Sequence, residues 1–170
     1  ATLGGEDSTH EAGFEAKSVG DMAEKEAIGI AGGERVRSGA AIGITAGTTT
    51  WQLAYHLVDV ADLTVVTNSV QVAEVLHQHQ RHDRTVVLTG GVRTPSDALV
   101  GPVAVTTLQS LHLDMVFMGV HGITERAGFT TPNLMEAETN RAFVEATGHL
   151  VVLADHTKWN VTGLSSIAPL

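Results

Sequence analysis

The sequence predicts an α/β fold in three layers, a mostly parallel sheet with helices on both faces. Short runs that are apolar almost throughout, such as Leu63-Thr64-Val65-Val66-Thr67-Asn68 and Leu150-Val151-Val152-Leu153, alternate with stretches of helical period. Strands apolar on both faces belong in a sheet that is covered on both sides. With 170 residues, 43% of them hydrophobic, the chain can build one domain with a real core.

Taken in order, residues 1–17 hold Gly4-Gly5, Gly13 and scattered acids and read as a linker or arm. Residues 18–170 read as a single domain. Met22, Ala23, Ala27, Ile30, Ala31 and Val36 predict a helix within 18–38, interrupted by Gly32-Gly33 and stopped at Gly39. A strand follows over 40–45, then a helix from Trp51 to Val58. Strand 63–68 leads to a helix from Val70 to His77, and strand 85–89 runs into Gly90-Gly91. A loop holding Pro95 extends to Gly101, and a helix follows from Val103 to Leu111. The strand Asp114–Gly119 is followed by a glycine-bearing loop, a helix from Leu134 to Ala146 and the strand Leu150–Leu153. The tail from Thr162 reads as irregular. The chain opens on Ala1 rather than Met and stops at Pro169-Leu170 with no closing element, so both ends are expected to be cut.

Composition excludes several functions. Ten Lys and Arg against nineteen Asp and Glu give a net charge of −9, so no basic face is available to grip DNA. Arg35 with Arg37, and Arg81 with Arg84, read as solvated helix ends. Aromatic residues are 4%, too few for a row of stacking platforms. There is no cysteine, which removes thiol catalysis and thiolate metal sites and fits a reducing cytoplasm. No apolar run nears the roughly 18 residues of a membrane span. His77, His79 and His82 do not share one helix face with a carboxylate, so no metal site and no cofactor are expected. No Gly-x-Ser-x-Gly elbow is present.

In an open parallel sheet, ligands bind beyond the carboxyl ends of the strands. The first such loop reads Thr45-Ala46-Gly47-Thr48-Thr49-Thr50 and enters a helix. Gly47 allows a tight turn, while Thr hydroxyls and unspent helix N–H groups can converge on one anion. The alternative is a threonine helix cap with no ligand. It is not a Walker loop, because no Gly-Lys-Thr follows. Asn68 in Thr67-Asn68-Ser69 can cap a helix or bond a ligand hydroxyl. Gly90-Gly91 is a turn or a close approach to ligand. His121, between Gly119 and Gly122, is a pocket candidate. Lys158 in Ala154-Asp155-His156-Thr157-Lys158-Trp159 can pair with a phosphate or form a surface salt bridge with Asp155.

These five loops, with strand 114–119, together resemble the C-terminal sensor domain of the DeoR family of bacterial transcription regulators, over about residues 20–168. The resemblance implies an effector domain that binds a phosphorylated sugar, behind an N-terminal helix-turn-helix that binds operator DNA and is absent here. It implies Gly47, Thr48, Thr49, Thr50 and Lys158 at the phosphate, and Asn68, Gly90, Gly91, His121 and Glu136 at the sugar. It also implies a homodimer or homotetramer and a last strand beyond Leu170.

The fold is similar to that of ribose-5-phosphate isomerase, whose catalytic carboxylates lie in the loop after the Asp114-type strand and on the next helix. Here that loop is Met118-Gly119-Val120-His121-Gly122, and Asn140 falls near the helix glutamate, with Glu136 and Glu138 close by. Proton shuttling needs a positioned base, so sensing is expected over catalysis, with a sugar-phosphate isomerase as the alternative and a structural dimerisation module as a third reading. Where the family has Asp-Ser before Gly-Thr-Thr, this chain has Thr45-Ala46, a change expected to shift sugar preference.

Overall fold

The structure is a computed structural model that describes Gly13, Phe14 and residues 22–170. The arm expected over 1–17 lies mostly outside the described residues. Phe14 packs its ring edge-to-face on Trp51, centroids 5.6 Å apart.

The first helix, α1, spans Met22–Gly33. It ends five residues before the predicted limit, and Gly32-Gly33 close it rather than interrupt it. They serve packing: a Cβ on Gly32 would meet Leu53 Cδ1 at 3.2 Å, and one on Gly33 would meet His56 Cβ at 3.0 Å. There follow β1 (Ala41–Ile44), α2 (Thr48–Tyr55), β2 (Thr64–Thr67), α3 (Val70–Gln78) and β3 (Thr85–Leu88). The chain continues through β4 (Val92–Arg93), β5 (Leu99–Val100), α4 (Pro102–Gln109), β6 (Met115–Gly119), β7 (Gly122–Thr124) and β8 (Gly128–Thr131). Last come α5 (Leu134–Glu145), β9 (Leu150–Leu153), a 3-10 turn (His156–Lys158) and β10 (Ser165–Ala168).

The main sheet has five strands in the order β3-β2-β1-β6-β9, and every pairing is parallel. Its two faces are covered by different helices. Ile42, Ile44, Val65 and Phe117 pack with Leu53, Leu57, Val72 and Leu76 on the α1–α3 side. Val66 and Val116 pack with Leu108, Ala142 and Phe143 on the α4–α5 side. The three-layer α/β fold expected from the sequence is therefore present.

Three features differ from expectation. The loop holding Pro95 contains a short antiparallel pair, β4 with β5. The glycine-bearing loop after β6 is the hairpin β7–β8, and the tail expected to be irregular is β10, antiparallel to β8. These strands are two to four residues long, too short to show a period along the sequence. Their stability comes from long-range pairing. Arg84, expected at a solvated helix end, instead ties loops together: its guanidinium donates to the carbonyls of Leu76 (3.2 Å), His79 (2.6 Å) and Val58. Among the described residues, no helix is long and apolar enough to cross a membrane.

Candidate functional site

Strands β1, β2 and β3 step one way across the sheet, while β6 and β9 step the other. The direction reverses between β1 and β6, and the two crossovers leave a crevice there. The loops after β1 and β6 border it. They are Thr45-Ala46-Gly47 with the start of α2, and Val120-His121.

Thr45 fastens the two sides. Its N–H donates to the Phe117 carbonyl (3.0 Å), and its Oγ1 accepts from the Gly119 N–H (3.1 Å). Its side chain is fully buried, so this hydroxyl braces the crevice. Ala46 packs against Ala98 and Val100, which places β5 over the loop. Asn68 is also fully buried and holds the same seam: its Oδ1 accepts from the Ala46 N–H (3.0 Å) and its Nδ2 donates to the Leu99 carbonyl (2.9 Å). Both ends of its amide are thereby spent on the loop's backbone neighbours.

Gly47 is the N-cap of α2 at φ 153°, and no side chain caps the helix. A threonine cap is thus not formed. The first helical bond closed on Gly47 comes from the Trp51 N–H (3.0 Å). By helix geometry, the N–H groups of Thr48, Thr49 and Thr50 precede it and have no intrahelical acceptor. Thr50 Oγ1 donates to the Gly47 carbonyl (3.0 Å), which commits its proton to the loop. The side chains of Thr48 and Thr49 are nearly buried, 7% and 5% exposed. Ser69 caps α3 and Asn133 caps α5, whereas α4, like α2, starts on a glycine, Gly101, with no side-chain cap.

A residue the sequence reading passed over stands here. Gly29 of α1 faces Gln52 of α2, where a Cβ would lie 3.1 Å from the Gln52 carbonyl carbon, and Gly33 faces His56. The two helices therefore advance in the same direction. One turn back from Gly29 is Lys25, and one turn back from Gln52 is Thr48. Lys25 thus flanks the first turn of α2, and it is 6% exposed. Glu24 and Glu26 beside it make it look like one more charge on a solvated face, so the sequence carried no signal.

Lys158 is half-buried in the 3-10 turn after β9. The surface salt bridge with Asp155 is not what forms. Asp155 is buried at 3% exposure and caps the turn, its Oδ1 accepting from Thr157 N–H (2.9 Å) and from the Thr157 hydroxyl. Burial pushes its carboxyl up. The Thr157 hydrogen bonds and the charges of Lys158 and Lys25 outweigh burial and hold it below the ordinary carboxylate range. A carboxyl depressed on folding contributes stability above its unfolded pKa of about 4, lost as pH falls toward the folded value. Thermal melting is accordingly expected to drop below about pH 4, with a shallower drop in Asp155→Asn. A variant with the same acid limb would remove Asp155 from that account.

Glu24, Asp155 and His156 bring ligand-type atoms within 4.8 Å of one another. Lys25 and Lys158 act on Asp155 from the same neighbourhood, and their charge opposes a cation there. Within the group, Glu24 Oε2 and His156 Nδ1 share a hydrogen bond at 2.7 Å. Of the histidines in and just after α3, His79 Nδ1 lies 2.9 Å from the Val75 carbonyl, and His77, His79 and His82 are exposed.

The remaining candidates divide. His121 is half-buried in the loop after β6, its N–H donating to the Thr130 carbonyl (3.0 Å). Glu136 is half-buried in the first turn of α5, its N–H capped by Asn133 Oδ1 (2.9 Å). Gly90 and Gly91 lie beyond β3, two strands away from β1 at the sheet edge. At Gly91, φ 127°, a Cβ would fall 2.6 Å from the Val100 carbonyl oxygen, so the close approach is to β5.

The fold defines a class: a doubly wound α/β domain with a crevice at its strand-order reversal. The family model described as the DeoR C terminal sensor domain matches residues 21–170, and the chain belongs to this family. It is 34% identical over 155 residues to the HTH-type transcriptional regulator GolR of Listeria innocua, covering 91% of this chain and 60% of that protein. It is 28% identical to the glycerol-3-phosphate regulon repressor of Escherichia coli, covering 80% of this chain and 54% of that one. The chain thus spans little more than half the length of these relatives. In structure it is similar to ribose 5-phosphate isomerase from Plasmodium falciparum, with a TM-score of 0.58 at 12% identity, over 84% of this chain and 55% of the isomerase. At that identity the likeness concerns the fold.

Proposed function

We propose that this domain senses a phosphorylated sugar or sugar alcohol on behalf of a transcription regulator. Residues 18–170 form the sensor, and 1–17 lead to a helix-turn-helix that contacts operator DNA. The observation that carries this reading is the start of α2. Three N–H groups without intrahelical acceptors and no side-chain cap stand at the nearly buried Thr48 and Thr49, and the packing of α1 on α2 at Gly29 and Gly33 brings the buried Lys25 toward the same turn. That combination suits a dianionic phosphate, which the helix dipole, the amides and the lysine all favour. Lys158 adds a second cation. Gly47, Thr48, Thr49 and Thr50 hold the phosphate. His121 and Glu136 meet the sugar. Asn68 acts by bracing the loop, and Gly90 and Gly91 by shaping the far rim.

The loop after β6 has no acid at Met118–Gly122, so the carboxylates with which the isomerase type moves a proton between sugar carbons are missing from this strand end. The site binds without turnover. The ligand favours one arrangement of the sensor and its homo-oligomer, and this changes how the DNA-binding heads are spaced. The names of the relatives support regulation, and one of them names glycerol 3-phosphate.

Calorimetric titration with glycerol 3-phosphate, ribose 5-phosphate, fructose 6-phosphate and inorganic phosphate tests the reading. At least one ester is expected to bind, and Thr49→Ala and Lys158→Ala should each weaken it by about 1–3 kcal/mol. If no ester binds, a structural dimerisation module is the better account. Conversion of ribose 5-phosphate by the purified chain would establish the isomerase instead.

A further inference from the structure

Helix α5 carries a polar stripe where its packing calls for an apolar one. Residues three and four apart share a helix face, so Glu136, Asn140 and Phe143 form one stripe. Its deep end is fixed by Phe143, whose ring fills the space above Gly43: a Cβ on Gly43 would lie 3.1 Å from Phe143 Cδ1 and 2.9 Å from Val116 Cγ2. Ala137, on the neighbouring stripe, packs on Met118. Passing from Phe143 to Ala137 on α5 therefore follows β6 from Val116 to Met118, and the helix runs against the strand. Thr139, on the other flank, accepts from the Gly101 N–H (3.2 Å) at the end of β5. Asn140 lies between these contacts and comes over the carboxyl ends of β1 and β6, at the crevice.

Asn140 is 2% exposed, and its Oδ1 is buried with no hydrogen-bond donor. Most buried amides find partners, and Asn68 beside the same crevice has both of its own. An isolated acceptor here is a cost to folding with no return inside the domain. We propose that Asn140 reads the non-phosphate end of the ligand by accepting a hydrogen bond from one of its hydroxyls. A polyol phosphate is favoured over a bare phosphate or an apolar ester. This rests on the sensor reading and adds the residue that recognises the hydroxyl.

The test compares wild type with Asn140→Leu and Asn140→Ala, titrated with inorganic phosphate and with whichever of glycerol 3-phosphate, ribose 5-phosphate and fructose 6-phosphate wild type binds. Both variants are expected to weaken the ester about tenfold or more and to leave inorganic phosphate within about twofold. Without ligand, Asn140→Leu should melt no lower than wild type, because it removes an unsatisfied acceptor. A purely structural asparagine would lower the melting point and spare the preference. Unchanged ester affinity, or an equal loss for ester and inorganic phosphate, overturns the role of Asn140 and leaves the phosphate site standing. Failure of wild type to bind any ester overturns the sensor reading itself.

Discussion

Replacing Gly122 by alanine is expected to lower stability by about 3 kcal/mol or more, the upper end of the range for overpacking. A Cβ there would lie 2.0 Å from the Val161 carbonyl oxygen and 2.6 Å from its carbon. Both are backbone atoms, so no rotamer change relieves the clash. Gly122 opens β7, pairs with Thr130, and receives the Thr130 hydroxyl on its carbonyl. The segment after Trp159 lies against the next residue, with the Asn160 N–H on the Ile123 carbonyl (2.9 Å). The clash would therefore push apart the hairpin that carries the His121 loop. For a domain of this size the melting temperature should fall by roughly 6–12 °C. Gly148→Ala is the control, since nothing lies within 4 Å of a Cβ there. If both variants melt together, the packing described around Val161 is wrong.

Lys25→Met should weaken binding of the phosphate ester by about 10- to 100-fold, the worth of a charged hydrogen bond. Methionine keeps the length and apolar stem of the buried side chain, so packing against α2 is largely retained. The ammonium charge is lost, from the turn at Thr48 and from the neighbourhood of Asp155. Arg35→Met removes an exposed cation beyond the end of α1 and should change affinity little, which separates a local contact from the effect of net charge. A second readout follows from Asp155. Its carboxyl is held down partly by Lys25, so the acid limb of the melting curve should become shallower in Lys25→Met. Unaltered ester affinity would place Lys25 outside the site.

Much of this was legible along the chain. Each strand of the parallel sheet is a short run of β-branched or apolar residues. Each was found within one or two residues, because a strand buried on both faces must be apolar almost throughout. The turn Gly47-Thr48-Thr49-Thr50 was legible for a similar reason, since glycine and the first helical residues are neighbours in sequence. Strands β7, β8 and β10 were not. Gly122-Ile123-Thr124 and Ser165-Ser166-Ile167-Ala168 have no period of their own and become strands by pairing with Gly128–Thr131.

The roles of single polar residues divided in the same way. Asn68 and Thr45 are near the Gly47 turn in sequence or register, yet their side chains bond backbone: Asn68 to Ala46 and Leu99, Thr45 to Gly119. A sequence shows that a polar residue is near a site but not which way its hydrogen bonds run. Asp155 and Lys158 looked like a solvated pair and proved to be a buried turn cap and its neighbour.

The sequence by itself determined the layered α/β order, the glycine-threonine turn after β1 and the absence of an acid in the loop directly after β6. All three are carried by residues adjacent along the chain, where periodicity and turn chemistry act. Tertiary structure alone decided that Lys25 flanks Thr48 and that Asn140 overhangs the ends of β1 and β6. Those placements arise from helix packing on Gly29, Gly33 and Gly43, whose missing side chains let the elements close. Contacts between residues so far apart in the chain leave no local pattern from which they can be read.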